Sequence, residues 1–165
     1  MKTLALRHQF YMYLFHKQEN LLVPDEPVTT YSKEVLVNLL DGPYQNAIRH
    51  VTSNDLVTLS KSVTFEGLIY DQGCAVVLSA ADDTFAFACI CQNFFIDNKL
   101  YLLCENLSTV GFNRHYNSYE VSFTNEFEVY TVDELYDNHP LGIYDVRNLR
   151  DCHLVTLKYN LRFRE

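Results

Sequence analysis

The sequence predicts a mainly β (α+β) fold, a small antiparallel SH3-like barrel or sandwich behind an N-terminal helical lead-in. Three observations predict it. Residues 84–105, TFAFACICQNFFIDNKLYLLCE, are two apolar runs joined by polar residues. At period two neither face of these runs is polar, so they read as a hairpin buried on both sides. From Asp55 onward, further strand-like stretches alternate with turn residues about every ten positions, the spacing of a small barrel or sandwich. Only before residue 50 does the apolar pattern follow a helical period. The division this implies is a helical lead-in with a Pro-containing linker over 1–50 and an antiparallel β domain over 51–165.

The elements follow in order. Residues 3–17, TLALRHQFYMYLFHK, predict a helix with one apolar stripe at Leu6, Phe10, Tyr13 and Leu14 and a second at Leu4, Tyr11 and Phe15. Such a wide apolar surface suits a helix packed between two bodies, as at the tail end of a larger protein. Residues 19–31 carry Pro24 and Pro27 without periodicity and read as a linker, since proline is unsuited to helix interiors and central strands. Ser32 then serves as a helix N-cap for the stripe Val35, Leu36, Leu39 and Leu40, ended by Asp41-Gly42-Pro43. Residues 44–50 add a second short helical turn.

In the β region, residues 55–70 predict strand on either side of Lys61-Ser62, and Asp71-Gln72-Gly73 turns into CAVVLSA. Ala81-Asp82-Asp83 turns into the hairpin, whose faces are Phe85, Phe87, Cys89 and Cys91 on one side and Ala86, Ala88, Ile90 and Phe94 on the other. Asp97-Asn98 tolerates the left-handed backbone of a tight turn. NSYEVSF and FEVYTV follow as strands around a turn at Thr124-Asn125-Glu126. Residues 133–135 form a single helical or 3₁₀ turn, before strands HPLGIYDV and CHLVTLKYNLRF.

Charge narrows the partners. The first 50 residues hold five Lys/Arg and five Asp/Glu, so the whole net charge of −8 falls on residues 51–165. An acidic domain repels phosphate and attracts basic protein segments. No apolar run reaches the roughly 20 residues that span a bilayer. Arg7, His8 and Gln9 interrupt the opening apolar stretch, and no small-residue cleavage pattern follows, which argues against a secretory signal. The expected setting is intracellular, nuclear or cytoplasmic, with no membrane partner.

No GxGxxG, P-loop, HExxH, GxSxG or CxxC motif occurs, so no catalytic residue, metal or cofactor is expected. The five cysteines lie in apolar contexts and read as small hydrophobes. The sharper alternative is zinc held by Cys89, Cys91 and Cys104 across the hairpin with His115 or His153, although CxC within a strand is a weak signal. Tyr116, Tyr119 and Tyr144 with Phe112 form a candidate aromatic pocket of the kind that binds cations against an acidic rim. Packing of these rings along the barrel rim is the competing reading. A local basic edge of Arg114, Lys158, Arg162 and Arg164 is the candidate nucleic-acid surface.

LALRHQFYMYLF, GFNRHYNSYEV, DELYDNHPLGIYDVRN and HLVTLKYNL together resemble the C-terminal region of DNA-transposon-derived proteins abundant in fish genomes, closest to Kyakuja–Dileera–Zisupton and Plavaka-like transposases. Gly111, Arg114, His115, His139, Pro140 and Leu141 are members of that pattern with no role attached. The resemblance implies a larger protein whose catalytic acids lie outside this chain. It implies a non-catalytic accessory β domain making protein or chromatin contacts, with a protein or basic-peptide partner and nucleic acid reached through the parent protein. A nucleic-acid-binding module of a transposase and a small metal-dependent enzyme are the alternatives.

Overall fold

The computed structural model describes residues 27–81, 84–145 and 152–157. The strands are β1 (Val28–Leu36), β2 (Leu56–Phe65), β3 (Leu68–Asp71), β4 (Ala75–Ala81), β5 (Thr84–Ile96), β6 (Lys99–Asn113), β7 (Ser118–Tyr130), β8 (Asp137–Leu141), β9 (Ile143–Asp145) and β10 (His153–Val155). Helix α1 (Gly42–Arg49) carries Pro43 in its first turn, where a missing N–H costs nothing. Short 3₁₀ turns cover Val37–Leu39 and Val132–Glu134. Every pairing is antiparallel, and the strands make one curled sheet that forms a half-barrel. Its main path runs β1-β2-β5-β6-β7-β10-β9.

The β5–β6 hairpin forms where the sequence places it. Asp97 and Asn98 take φ of 49° and 64°, the left-handed pair that a two-residue hairpin turn requires. The expected division of its faces holds only as far as Ile90. The register shifts between Ile90 and Gln92, so Cys91 is an extra residue on β5. An inserted residue reverses the parity of everything after it. Ala88 and Ile90 therefore enter one core with Leu102 and Cys104, whereas Phe94 enters another with Leu103 and Val57 beneath α1. A further core, on the face of Phe85, Phe87 and Cys89, gathers Tyr119, Val121, Leu141 and Val155 from β7, β8 and β10.

Curling comes from β5 changing partners. Its C-terminal half pairs with β2 (Ser60 opposite Asn93) and its N-terminal half with β4 (Ala75 opposite Cys89), while the far end of β2 folds away to pair with β3. Side-chain amides bind backbone carbonyls beside the split. Asn93 Nδ2 donates to Tyr70 O at 2.8 Å, and Gln92 Nε2 donates to Ser60 O at 2.7 Å. This answers the rule that buried backbone polar groups must find partners.

Several expectations are corrected. The segment with Ser32 as N-cap is not a helix: residues up to Leu36 are edge strand β1, paired with β2 from Val28↔Thr64 to Leu36↔Leu56. Cross-strand pairing outweighs a short stripe whose helical propensity is weak. The linker reading fails likewise for residues 28–31. β2 runs through Lys61-Ser62, and the turn falls at Glu66-Gly67, both at positive φ. Thr124-Asn125-Glu126 is no hairpin turn but a bulge inside β7, opposite Asn106, with Asn125 at φ 59°. The Thr124 hydroxyl donates to Asn106 O, and Glu105 accepts from the Asn125 amide. The expected helix over 3–17 lies outside the described residues. The mainly β, antiparallel, barrel-like body anticipated is observed as a curled sheet of ten strands among the described residues. Among the described residues no helix is long and apolar enough to cross a membrane.

Candidate interaction site at the mouth of the half-barrel

Four segments meet at one end of the sheet. The β5–β6 turn brings Asp97, Asn98, Lys99 and Leu100. The end of β2 brings Phe65, the residue before β1 is Pro27, and the chain leaving β7 supplies Thr131, Val132 and Asp133. Together they line a cleft of about 310 Å³. Its floor is apolar because Leu100, Val132 and Phe65 belong to the core containing Ile90.

The wall at 131–134 is held by a capping box. Glu134 Oε2 accepts from the Thr131 amide at 2.6 Å and from its hydroxyl at 2.9 Å. Those hydrogen bonds, with help from Lys99, hold the Glu134 carboxyl below its ordinary pKa. Lys99 Nζ also lies 5.6 Å from the Tyr101 ring centroid. Asp97 and Asp133, both exposed, have no side-chain hydrogen bond or ion pair among the described residues. The cleft thus combines an apolar floor with two unpaired carboxylates, which suits a cationic group on an apolar stem.

The predicted aromatic pocket is not assembled. Tyr119 is buried, its ring centroid 5.4 Å from Phe85, 5.5 Å from Phe87 and 5.0 Å from Phe112. It shares a row with Val155 and Ile143, whereas Tyr144 pairs with Leu154 one position along. Alternation along a strand therefore sends Tyr144 to the opposite face. Tyr116 lies in the 114–117 turn, edge-on to His115 at 4.8 Å. That turn, which exposes Arg114, is held by Asn113 Oδ1 accepting from the His115 and Tyr116 amides. Lys158, Arg162 and Arg164 lie outside the described residues.

Of the other pattern members, Gly111 follows a bulge at Val110 and has open space where a Cβ would stand. Pro140 and Leu141 are buried in β8, and His139 Nδ1 lies 2.8 Å from the buried Asp137 carboxylate. The Cys trio does not converge either. Cys89 and Cys104 belong to cores on opposite faces, and Cys91 stands at the bulge between them. His153 is engaged by Asp145 at 2.6 Å. No group of three His, Cys, Asp or Glu side chains suited to a metal occurs among the described residues.

Burial pushes the Cys89 thiol up to about 12 and raises Cys104 well above its usual range. Because the thiolate is the reactive form, both are expected to resist an alkylating reagent in the folded protein near pH 8 and to react on unfolding. Peptide mapping of labelled protein with and without denaturant checks this; rapid native labelling of Cys104 contradicts the packing. The same shift sets a pH dependence. Below about 9 both states keep the Cys89 proton; above it the unfolded chain releases the proton first, so this residue's stabilisation falls between about 9 and 12.

Sequence reading picked out Asp97 for its turn but did not join it to Phe65 or Thr131. One available signal was Thr131-Val132-Asp133-Glu134, which has capping-box spacing. In comparisons with known proteins, no family model, curated protein or solved structure matches this chain.

Proposed function

We propose that this is a non-catalytic interaction domain whose half-barrel mouth receives a basic side chain of a protein partner. The observation that carries the reading is the cleft itself, an apolar floor rimmed by the unpaired carboxylates of Asp97 and Asp133. The net charge of −8 favours such a partner at longer range. The resemblance to the C-terminal region of transposon-derived proteins adds support for an accessory role with chromatin contacts, in the nucleus or cytoplasm.

Fluorescence anisotropy with labelled Lys/Arg-rich peptides, histone-tail sequences among them, tests the reading. The double substitution Asp97→Asn with Asp133→Asn is expected to weaken binding about 5- to 10-fold, the scale of two partly exposed ion pairs, while leaving the melting temperature unchanged. Equal affinity for basic and acidic peptides sinks the proposal. Salt-sensitive binding to duplex DNA that Arg114→Ala abolishes favours the nucleic-acid reading instead.

A further inference from the structure

Strand β1 is the first strand of the sheet path and, among the described residues, pairs only with β2. It is nine residues long and exposed at every position except Val35, which is half-buried. Such a strand offers a row of unpaired backbone donors and acceptors to any extended chain. The orientation of that row is readable. Val37 donates inward to Asp55 O at 2.8 Å, so by alternation Ser32, Glu34 and Leu36 present their N–H and C=O groups outward.

This edge, unpaired on its outer side among the described residues, leads toward the mouth. Val28, the first residue of β1, follows Pro27, which lines the cleft. A segment paired along Ser32–Leu36 and continuing past Tyr31, whose φ of 59° interrupts the edge, runs toward Pro27 and the cleft of Asp97 and Asp133. We infer that the partner docks as an additional β-strand on β1, with a Lys or Arg just beyond the paired stretch seated in the cleft. This rests on the reading of the mouth given above and names how the partner is held.

The outward row from Ser32 to Leu36 spans five residues, about 17 Å at roughly 3.3 Å each, and Tyr31, at φ 59°, interrupts it before Val28. Charge selects the composition of the docked segment, since a basic segment is attracted to a chain of net charge −8, whereas a second copy of this chain is repelled. Backbone pairing gives grip without demanding a particular sequence, and the seated cation fixes the register.

The test uses the full chain and a basic peptide of ten to twelve residues found by the anisotropy screen. N-methylation at alternate peptide amides keeps the charge but removes strand donors, and one of the two alternations is expected to lower affinity about tenfold or more. Glu34→Pro removes an outward N–H without touching the ladder to β2, and is expected to cause a similar loss with unchanged circular dichroism. Amide exchange at Ser32, Glu34 and Leu36 should slow on peptide addition. If Glu34→Pro fails to fold, the methylated peptides and exchange on the native chain still decide. Full binding by both methylated peptides overturns docking on β1, even where Asp97→Asn with Asp133→Asn weakens binding and the mouth reading survives. A loss with Glu34→Pro but none with the Asp substitutions overturns the seated cation. Concentration-dependent dimers abolished by Glu34→Pro overturn the choice of occupant.

Discussion

Replacing Phe87 by Ala is expected to lower the free energy of unfolding by about 3–5 kcal/mol, the usual cost of emptying a buried aromatic site. Phe87 is 1% exposed and sits where β4, β5 and β6 meet, opposite Val77 on one side and Leu107 on the other. Its ring centroid lies 6.2 Å from Phe85 and 5.5 Å from Tyr119. Truncation removes contacts from several strands at once, and the antiparallel ladders on both sides prevent collapse into the void. Domains of this kind are stable by only about 5–15 kcal/mol, so the urea midpoint should fall sharply. Phe123→Ala, at a residue 40% exposed, serves as the control and should cost about 1 kcal/mol or less. A loss below 1 kcal/mol at Phe87 would show that this core is not packed as described.

The second large effect is expected at Asn93, whose exposure is 0%. Its Nδ2 donates to Tyr70 O and to Lys61 O, while its Oδ1 has no partner among the described residues. The amide is held for its donors, at the point where β2 parts from β5. Asn93→Leu removes the amide donor from Tyr70 O, while Lys61 O keeps the Gln72 N–H at 2.9 Å, and is expected to cost about 1–3 kcal/mol. Asn93→Asp should be worse at neutral pH, because an ionised carboxylate offers only acceptors to the carbonyls around it. The sign of its pH dependence follows. Burial raises the folded-state pKa above that of the unfolded chain, so the variant's stability is fully present at acid pH and is lost as pH rises through the folded value. Chemical denaturation between pH 4 and pH 8 measures it. If Asn93→Leu unfolds at the wild-type urea concentration, the amide does not hold the split together.

The elements legible in the sequence are those whose cause is local. Asp97-Asn98 predicts its own turn because short polar side chains tolerate the left-handed backbone, and Val132–Glu134 closes as a 3₁₀ turn as the 133–135 cluster suggests. Gln72-Gly73 turns with Gly73 at φ 89° for the same kind of reason. Where sequence reading failed, the deciding contact came from far along the chain. Residues 32–36 have an apolar spacing compatible with a helix, but β2 pairs with them some twenty residues later. The candidate tyrosines are grouped in sequence, but strand alternation sends Tyr119 into a core and Tyr144 to the opposite face.

Taken alone, the amino-acid order determined that this chain is built mainly of antiparallel strands, that residues 84–105 form its buried hairpin, and that it carries excess negative charge; that β5, β6 and β7 run to 13, 15 and 13 residues was not legible in it. The legible features depend on side-chain alternation, turn conformations and composition, none of which needs a distant partner. Tertiary structure alone decided that Cys91 is an extra residue reversing the faces of β5, that β1 is an edge strand among the described residues, and that Phe65, Asp97 and Asp133 share one cleft. Bulges and edges are properties of paired strands, and a cleft is a property of segments brought together, so neither is encoded in any single window of the chain.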